Sequence, residues 1–398
     1  QVTARGGSLT AGDNISITAS GSGAKGADGD ILLQGAAVQA GKNLDLTANR
    51  DIYLVSAQNT SLLTGSNRSS GGSIGVGIGF GGTKTGINVS ASLNQGRGHE
   101  SGNGTTHTET LLNAGQRVSL VSGRDSILTG AQVSGETVKA DVGRNLLMTS
   151  EQDSDRYDSK QQNASVGGGF TFGTMAVNAS VNLSRDKMHS NYDSVVEQTG
   201  IFAGKGGFDI TTGEHTQLNG AVIGSTAAAE NNRLDTGTLG FSDIHNQADY
   251  KVEHQSIGLS TGGSIAGQFA GNMANTLLAG VNKDGHDSGT TRAAVSDGTL
   301  IVRDQEKQTQ DVASLSRDAE NANGSINQIF DKEKEQKRIQ QAQLIGEIST
   351  QVSDIVRTQG AIAAAKDAKE KMGNISQQDR DKARADWIKA HPGQTPNE

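Results

Sequence analysis

The chain has no cysteine, so no disulfide framework holds it and its stability must come from packing and strand stacking. Proline is nearly absent, with 2 residues, and aromatic side chains make up only 3% of the 398 residues. A basic excess is also missing. The net charge of −8 and pI near 5.5 leave no positive stripe to displace counterions from phosphate, which argues against a nucleic-acid partner. Residues Gln1–Thr10 lack the basic start and apolar run of a signal peptide, and Ser8-Leu9-Thr10-Ala11-Gly12 already reads as a repeat unit. The chain is therefore expected to be an internal piece of a longer polypeptide.

What is abundant is glycine, with 54 residues, too many for a helical bundle and without the G-X-Y period of collagen. A hydrophobic content of 33% is low for a compact globule. It suits a solenoid, in which each coil encloses a narrow core.

One short pattern recurs: Gly, a polar residue, often Asn, then two apolar residues separated by one. Copies are Gly12-Asp13-Asn14-Ile15-Ser16-Ile17, Gly41-Lys42-Asn43-Leu44-Asp45-Leu46, Gly115-Gln116-Arg117-Val118-Ser119-Leu120 and Gly143-Arg144-Asn145-Leu146-Leu147-Met148, with a looser copy from Gly204 to Ile210. Glycine accepts the positive φ of a sharp corner and the alternating pair points into a core. A second string, Leu33-Gln34-Gly35-Ala36-Ala37-Val38, returns as Leu128-Thr129-Gly130-Ala131-Gln132-Val133 and Leu218-Asn219-Gly220-Ala221-Val222-Ile223, copies about 90 residues apart. Strands this short bury one another's edges only when stacked in register. The expected fold is all-β, a β-solenoid over residues 1–303. A β-sandwich is the competing reading, although sandwiches rarely repeat at string level.

Three excursions interrupt the coils, at about 66–112, 157–200 and 250–298. In the first, Ile74, Val76, Ile78 and Phe80 alternate with glycine, and beyond the turn at 81–86 Ile87, Val89, Ala91 and Leu93 alternate with Asn and Ser. The second repeats the plan: Val166, Phe170 and Phe172, a turn near Gly173-Thr174, then Val177, Ala179, Val181 and Leu183. Each is a β-hairpin with one apolar face and one polar face. In the third, Ile265, Phe269, Met273 and Leu277 fall at i+4 spacing opposite Gly263, Gly267 and Gly271, so a helix and another glycine-rich hairpin both fit. The hairpin faces either pack on the side of the coil or enter an outer membrane, since tilted strands of roughly nine to eleven residues span a bilayer. Poverty in Trp and Tyr, which form membrane girdles, weighs against embedding.

Several motif matches fail on context. Gly77-Ile78-Gly79-Phe80-Gly81-Gly82 fits a dinucleotide fingerprint without a following helix, and Gly71-Gly72-Ser73-Ile74-Gly75 fits a nucleophile elbow without a partner His. His99 and His107 could share a strand face, but no clustered carboxylate or HExxH accompanies them. Asp153, Asp155 and Asp158 read as an acidic patch on a solvated loop. No catalytic residue, metal site or cofactor is expected, and a solenoid polysaccharide lyase would need a carboxylate, Arg and Lys constellation that is not visible.

From Arg303 glycine nearly vanishes, and Ile326, Ile329 and Phe330 open an apolar stripe that Ile339, Leu344, Ile345, Ile348, Val352, Ile355 and Val356 continue at i+3/i+4 steps. This predicts a charged amphipathic helical segment over 304–373, able to cap the last coil, and a linker-like tail over 374–398.

Taken together, the Gly-x-Asn-apolar strings, the Leu-x-Gly-Ala units and the glycine-alternating hairpins resemble the haemagglutinin repeats of filamentous-haemagglutinin-like exoproteins. Arg317-Asp318-Ala319-Glu320-Asn321-Ala322 and Ile329-Phe330-Asp331-Lys332-Glu333-Lys334 narrow the resemblance to contact-dependent growth inhibition proteins of the CdiA type, at their C-terminal repeat region and the start of the pretoxin segment. The resemblance implies a right-handed parallel β-helix, two-partner secretion to the bacterial surface through an outer-membrane partner of the producing cell, and a role in carrying a C-terminal toxin across a target cell's outer membrane. The candidate membrane-facing residues are then Ile74, Val76, Ile78, Phe80, Ile87, Val89, Leu93, Val166, Phe170, Phe172, Val177, Val181 and Leu183. An adhesin or spacer rod is the alternative function. The family's Val-Glu-Asn-Asn toxin boundary is absent, and Ala229-Glu230-Asn231-Asn232 lies inside the repeats, so the toxin is expected outside this fragment.

Overall fold

The computed structural model describes residues 1–79, 86–172, 175–261 and 282–341, together with isolated helical positions between 359 and 390. It is all-β, built on an eleven-stranded sheet, a six-stranded sheet of short strands and a six-stranded sheet of long ones. Both short-stranded sheets pair in parallel, and repeat copies lie on one another in register. Val38 pairs with Leu112, Leu112 with Val133, Val133 with Ile201, and Ile201 with Ile223. In the other sheet Leu33 pairs with Leu54, Leu54 with Leu128, Leu128 with Met148, and Met148 with Leu218. Leu44, Val133 and Ile223 fall in a single buried cluster shared by the two sheets. Alternation explains this: one side chain of each pair points inward, and stacking supplies the layers above and below it.

The chain turns between the two parallel sheets at Gly35, Gly130 and Gly220, whose φ values are 56°, 66° and 55°. A side chain is disfavoured in that backbone region. At Gly35 an added Cβ would also lie 2.7 Å from the Ala57 methyl. One repeat copy belongs elsewhere than the pattern placed it. Gly143–Met148 stacks in the six-stranded sheet, with Leu146 beside Ser126 and Thr216, rather than with Ile15, Leu44 and Val118. The same Gly-polar-Asn string serves two different corners.

That second corner carries an ion-pair ladder which the repeats do not advertise. Arg50 donates to Asp30, Arg124 to Asp51, and Arg144 to Asp125, each through Nε and a terminal guanidinium nitrogen. Each carboxylate also accepts a backbone N–H from the next coil, at Asp51, Asp125 and Asn145. Asp51 is fully buried. Burial pushes its carboxyl up, but Arg124, the Asp125 amide and the Tyr53 hydroxyl outweigh burial and hold it below the ordinary aspartate value.

The third sheet is antiparallel. Its strands are Ala57–Gly79, Gly86–Thr108, Asp153–Phe172, Ala176–Ser194, Ile244–Thr261 and Lys283–Thr291, here called the first to sixth long strands, and they pair in chain order. The ladder begins nearer the core than the glycine-rich stretches alone mark, because Thr, Asn and Gln alternation continues the strands downward. Each excursion leaves and rejoins the core at one place: Ala57 pairs with Thr108, Asp153 with Ser194, and Ile244 with Thr291. The turns at 80–85 and 173–174, and with them Phe80, lie outside the described residues, as do Ile265, Phe269, Met273 and Leu277.

From Arg303 to Asp331 the chain is not helical, apart from a short 3-10 turn at Val312–Ser314. The expectation of a helix from 304 is corrected here. Gln308 and Gln310 instead extend the six-stranded sheet with side-chain hydrogen bonds to the backbone of Leu239 and Phe241. Helix begins at 332. Leu344, Ile345, Ile348, Val352, Ile355 and Val356 lie outside the described residues.

Candidate functional site: the long-stranded sheet

Directly opposed residues of an antiparallel ladder share a face, so the register assigns every side chain of this sheet. Toward the tip, one row is Ile78, Ile87 and Phe172, and the next is Val76, Val89, Phe170 and Val177. Then come Ile74 with Ala91, Gly168 and Ala179, followed by Leu93 with Val166 and Val181. A fifth row holds Ala164, Leu183 and Ile257, with the polar Ser70 and Gln95 on the first two strands. The described candidates from both hairpins, which the sequence could only treat separately, thus join on one face of one sheet. Most are open to solvent, Ile74 84% exposed, Ile78 72%, Val76 71%, Leu93 70% and Val177 65%, while Val89 and Phe170 are half-buried. Phe170 and Phe172 meet edge to face at 4.7 Å between ring centroids.

Below the fifth row the same face changes abruptly. Arg68, Arg97, Gln162, Arg185 and Gln255 form one cross-strand row. Ser66, His99, Lys160, Lys187 and Glu253 form the next. Nearer the core the charges are paired, His189 with Asp158 at 2.5 Å and Arg156 with Asp193 at 2.6 Å.

The opposite face runs the other way. At the tip it carries Ser73 bonded to Ser92 at 2.7 Å, with Asn94, Ser165 and Asn182 a row below. Near the core it carries Tyr157, Met188, Tyr250 and Val252, all buried. Phe330 covers Tyr157 and Tyr250, with centroids at 5.6 and 5.7 Å, and Ile339 completes that cluster. Tyr192 donates to the Ile326 carbonyl at 3.0 Å and Lys332 reaches Glu100 at 3.2 Å. In the described part of the stripe, Ile329, Phe330 and Ile339 therefore pack on the base of the long-stranded sheet and not on the last coil. A groove of about 460 Å³ between this tail and the sheet is lined by Glu100, Tyr157, Asp186, Met188 and Ile339. Asp186 on its wall bonds the buried imidazole of His254 behind it.

His99 and His107 do share a face of the second long strand, but they stand apart. His107 is held by Asp153 at 3.0 Å, and this hydrogen bond raises its pKa. Asp153, Asp155 and Asp158 lie on the third long strand rather than on a loop, and alternation sends Asp158 to the face opposite Asp153 and Asp155. Asp158 bonds His189, and burial pushes Asp155 up. Among the described residues no group of three or more His, Asp or Glu is placed to hold a metal ion. One acidic residue sits at the root of each of three long strands: Glu109, Glu151 and Glu197. Burial, with Glu197 and Glu151 nearby, pushes Glu109 up to about 8.

Parallel repeat sheets with long antiparallel excursions define a repeat-built, all-β protein. The Hemagglutinin repeat family matches residues 1–164 and 161–235, and the chain belongs to that family, as a segment of the CdiA-type exoproteins. It is 61% identical over 360 residues to the 16S rRNA endonuclease CdiA of Enterobacter cloacae subsp. cloacae, covering 90% of this chain and 11% of that protein. To the deoxyribonuclease CdiA of Yersinia pseudotuberculosis serotype O:3 it is 54% identical over 390 residues, covering 98% and 36%. To a tRNA nuclease CdiA of Escherichia coli it is 52% identical over 373 residues, covering 94% and 11%. The chain thus spans between about a tenth and a third of these curated relatives. No solved structure matches it.

Proposed function

We propose that this segment is a non-enzymatic delivery module of a contact-dependent growth inhibition exoprotein. Its long-stranded sheet engages the outer membrane of a neighbouring cell and helps a toxin carried elsewhere in the full-length chain to cross. The observation that carries this reading is the exposed aliphatic field of Ile74, Val76, Ile78, Leu93 and Val177. Contiguous apolar surface of this kind marks a membrane or partner contact. Its five rows extend roughly 26 Å at about 3.3 Å per residue, close to the apolar band of about 25 Å on outer-membrane barrels. The Ser and Asn reverse face suits the watery side of such a wall. Backbone chemistry sets one condition. Among the described residues the first long strand ends the sheet, its outer edge bridged by Val2 at Thr60 near the core and unpaired along the aliphatic rows, and hydrocarbon offers those N–H and C=O groups no partner. Full insertion requires that edge to pair with another strand; an unpaired sheet lies at the interface.

The relatives support a shared delivery role. They are named for cutting 16S rRNA, DNA and tRNA, yet all three contain this segment at 52% to 61% identity. A part common to three chemistries fits transport better than cleavage. In this reading residues 1–303 form a right-handed parallel β-helix reaching the cell surface through an outer-membrane secretion partner. Residues 304–373 form the charged segment leading toward the toxin, and 374–398 a linker. The test is toxin entry by an exoprotein carrying Val76→Asp, Ile78→Asp, Val89→Asp and Val181→Asp. Secretion is expected to continue while delivery is lost; undiminished delivery would leave the adhesin or spacer-rod reading in its place.

A further inference from the structure

We infer that the arginine row beneath the apolar field is an anionic-headgroup site, seating the phosphate of a lipid whose acyl chains lie along the aliphatic rows above it. This rests on the membrane reading and specifies the surface that the sheet prefers. Arg68 and Arg97 are directly opposed across the first and second long strands, and Arg185 lies in the same row. Like charges directly opposed destabilise a ladder unless something neutralises them. Among the described residues, none of these three arginines has an ion-pair partner, whereas Arg50, Arg124, Arg144 and Arg156 each have one. On this face Glu253 stands one row lower and is bonded by Lys251 at 2.5 Å; Arg185 and Lys187 act on it through space.

The row also has a shaped recess. An open groove of about 440 Å³ is lined by Arg97, Gln162, Arg185 and Gln255 on its polar side and by Leu183 and Ile257 on its apolar side, with no carboxylate in its lining. The Nε of Arg185 is buried without a hydrogen-bond partner. Guanidinium groups bind phosphate oxygens through paired N–H donors, and the two Gln amides can complete the oxygen shell. Apolar rows ending at a polar, cationic line match the change from acyl chain to phosphate at a bilayer surface. Lys160 and Lys187, one row further from the tip, extend the positive zone outward.

The test is flotation of the whole segment with two kinds of vesicle, neutral phosphatidylcholine and phosphatidylcholine containing phosphatidylglycerol. The expected result is binding to both, tighter to the anionic vesicles by more than about tenfold, because each basic residue near an anionic surface contributes roughly a factor of five. R97Q/R185Q should lower the anionic affinity to the neutral level, and R97K/R185K should keep most of the preference. An unchanged circular-dichroism melt shows that both variants are folded. Equal affinity for the two vesicles, or a preference that survives R97Q/R185Q, overturns the headgroup site and leaves the membrane reading standing. Binding to neither vesicle overturns both. If inorganic phosphate abolishes the preference at unchanged ionic strength, the groove is a free-anion site and the lipid assignment fails.

Discussion

The parallel core and the long-stranded sheet are written in the same alphabet and meet opposite fates. Leu44, Leu46 and Val133 alternate with polar residues and are buried, while Val76, Ile78 and Val177 alternate with glycine or asparagine and face solvent. Alternation fixes which residues share a face; it does not say what that face meets. In the core the answer comes from the second parallel sheet, whose side chains fill the same cluster. In the distal sheet no described element covers the aliphatic side, although the tail packs closely on the base of the reverse side. The two faces of the long sheet exchange character at the arginine row, which a sheet serving only to wrap the core would not need.

The sharpest way to break this comparison is to remove one side chain from each region. Leu128→Ala should cost about 2–5 kcal/mol in chemical denaturation, because the side chain is fully buried between Leu54 and Met148. Asp51→Asn, which strips the ion-pair ladder of a buried carboxylate, should lower stability by less than Leu128→Ala, because the guanidinium of Arg124 is about a third exposed and water can take its partner's place. Its pH signature is distinct. The folded carboxyl is held low, so wild-type stability is lost as pH falls through the acidic range and the variant should lack that loss.

Glu109 separates the roots of the long strands from both regions. Its proton is held in the folded chain up to about 8, against an ordinary 4.5. Below the ordinary glutamate range both states are protonated; between there and about 8 only the folded state is, so stability falls as pH rises through that window. The raised His107 acts in the same direction. Glu109→Gln should flatten most of this slope, and thermal melts at pH 5 and pH 8.5 measure it; an unchanged slope would show that the root cluster is well hydrated. The smallest effect belongs to the tip. Val76→Ser should shift stability by no more than about 0.5 kcal/mol, as at other exposed positions. A loss like that of Leu128→Ala would mean that the aliphatic face is packed.

The repeat strings made three corners legible, because Leu-x-Gly-Ala places Gly35, Gly130 and Gly220 where φ is positive; Gly12, Gly41, Gly115 and Gly143 of the other string do not take positive φ, contrary to the expectation from their corners. The alternation of both hairpins was legible as well. Gly143 was placed at the wrong corner since its local string fits both; only Arg50-Asp51, Arg124-Asp125 and Arg144-Asn145 set side by side reveal the difference. The arginine row could not be read at all. Arg68, Arg97 and Arg185 stand on three strands, and their adjacency depends on cross-strand register, which no single strand contains. Phe330 is visible in the sequence as part of the apolar stripe of a helical segment, and its place just ahead of the helix is not, because Tyr157 and Tyr250, against which it packs, are far away in sequence.

Ala57 pairs with Thr108, and the Thr110 hydroxyl donates to the Val55 carbonyl at 2.6 Å. The whole first excursion therefore departs and returns through a doorway a few ångströms wide, and the coils on either side are already in contact across it. Such an insert can be lengthened, shortened or exchanged without moving the stack it grows from, and a short turn joining Val55 to Thr110 should close the gap. The rod can keep its architecture while the appendages that meet the outside world change independently.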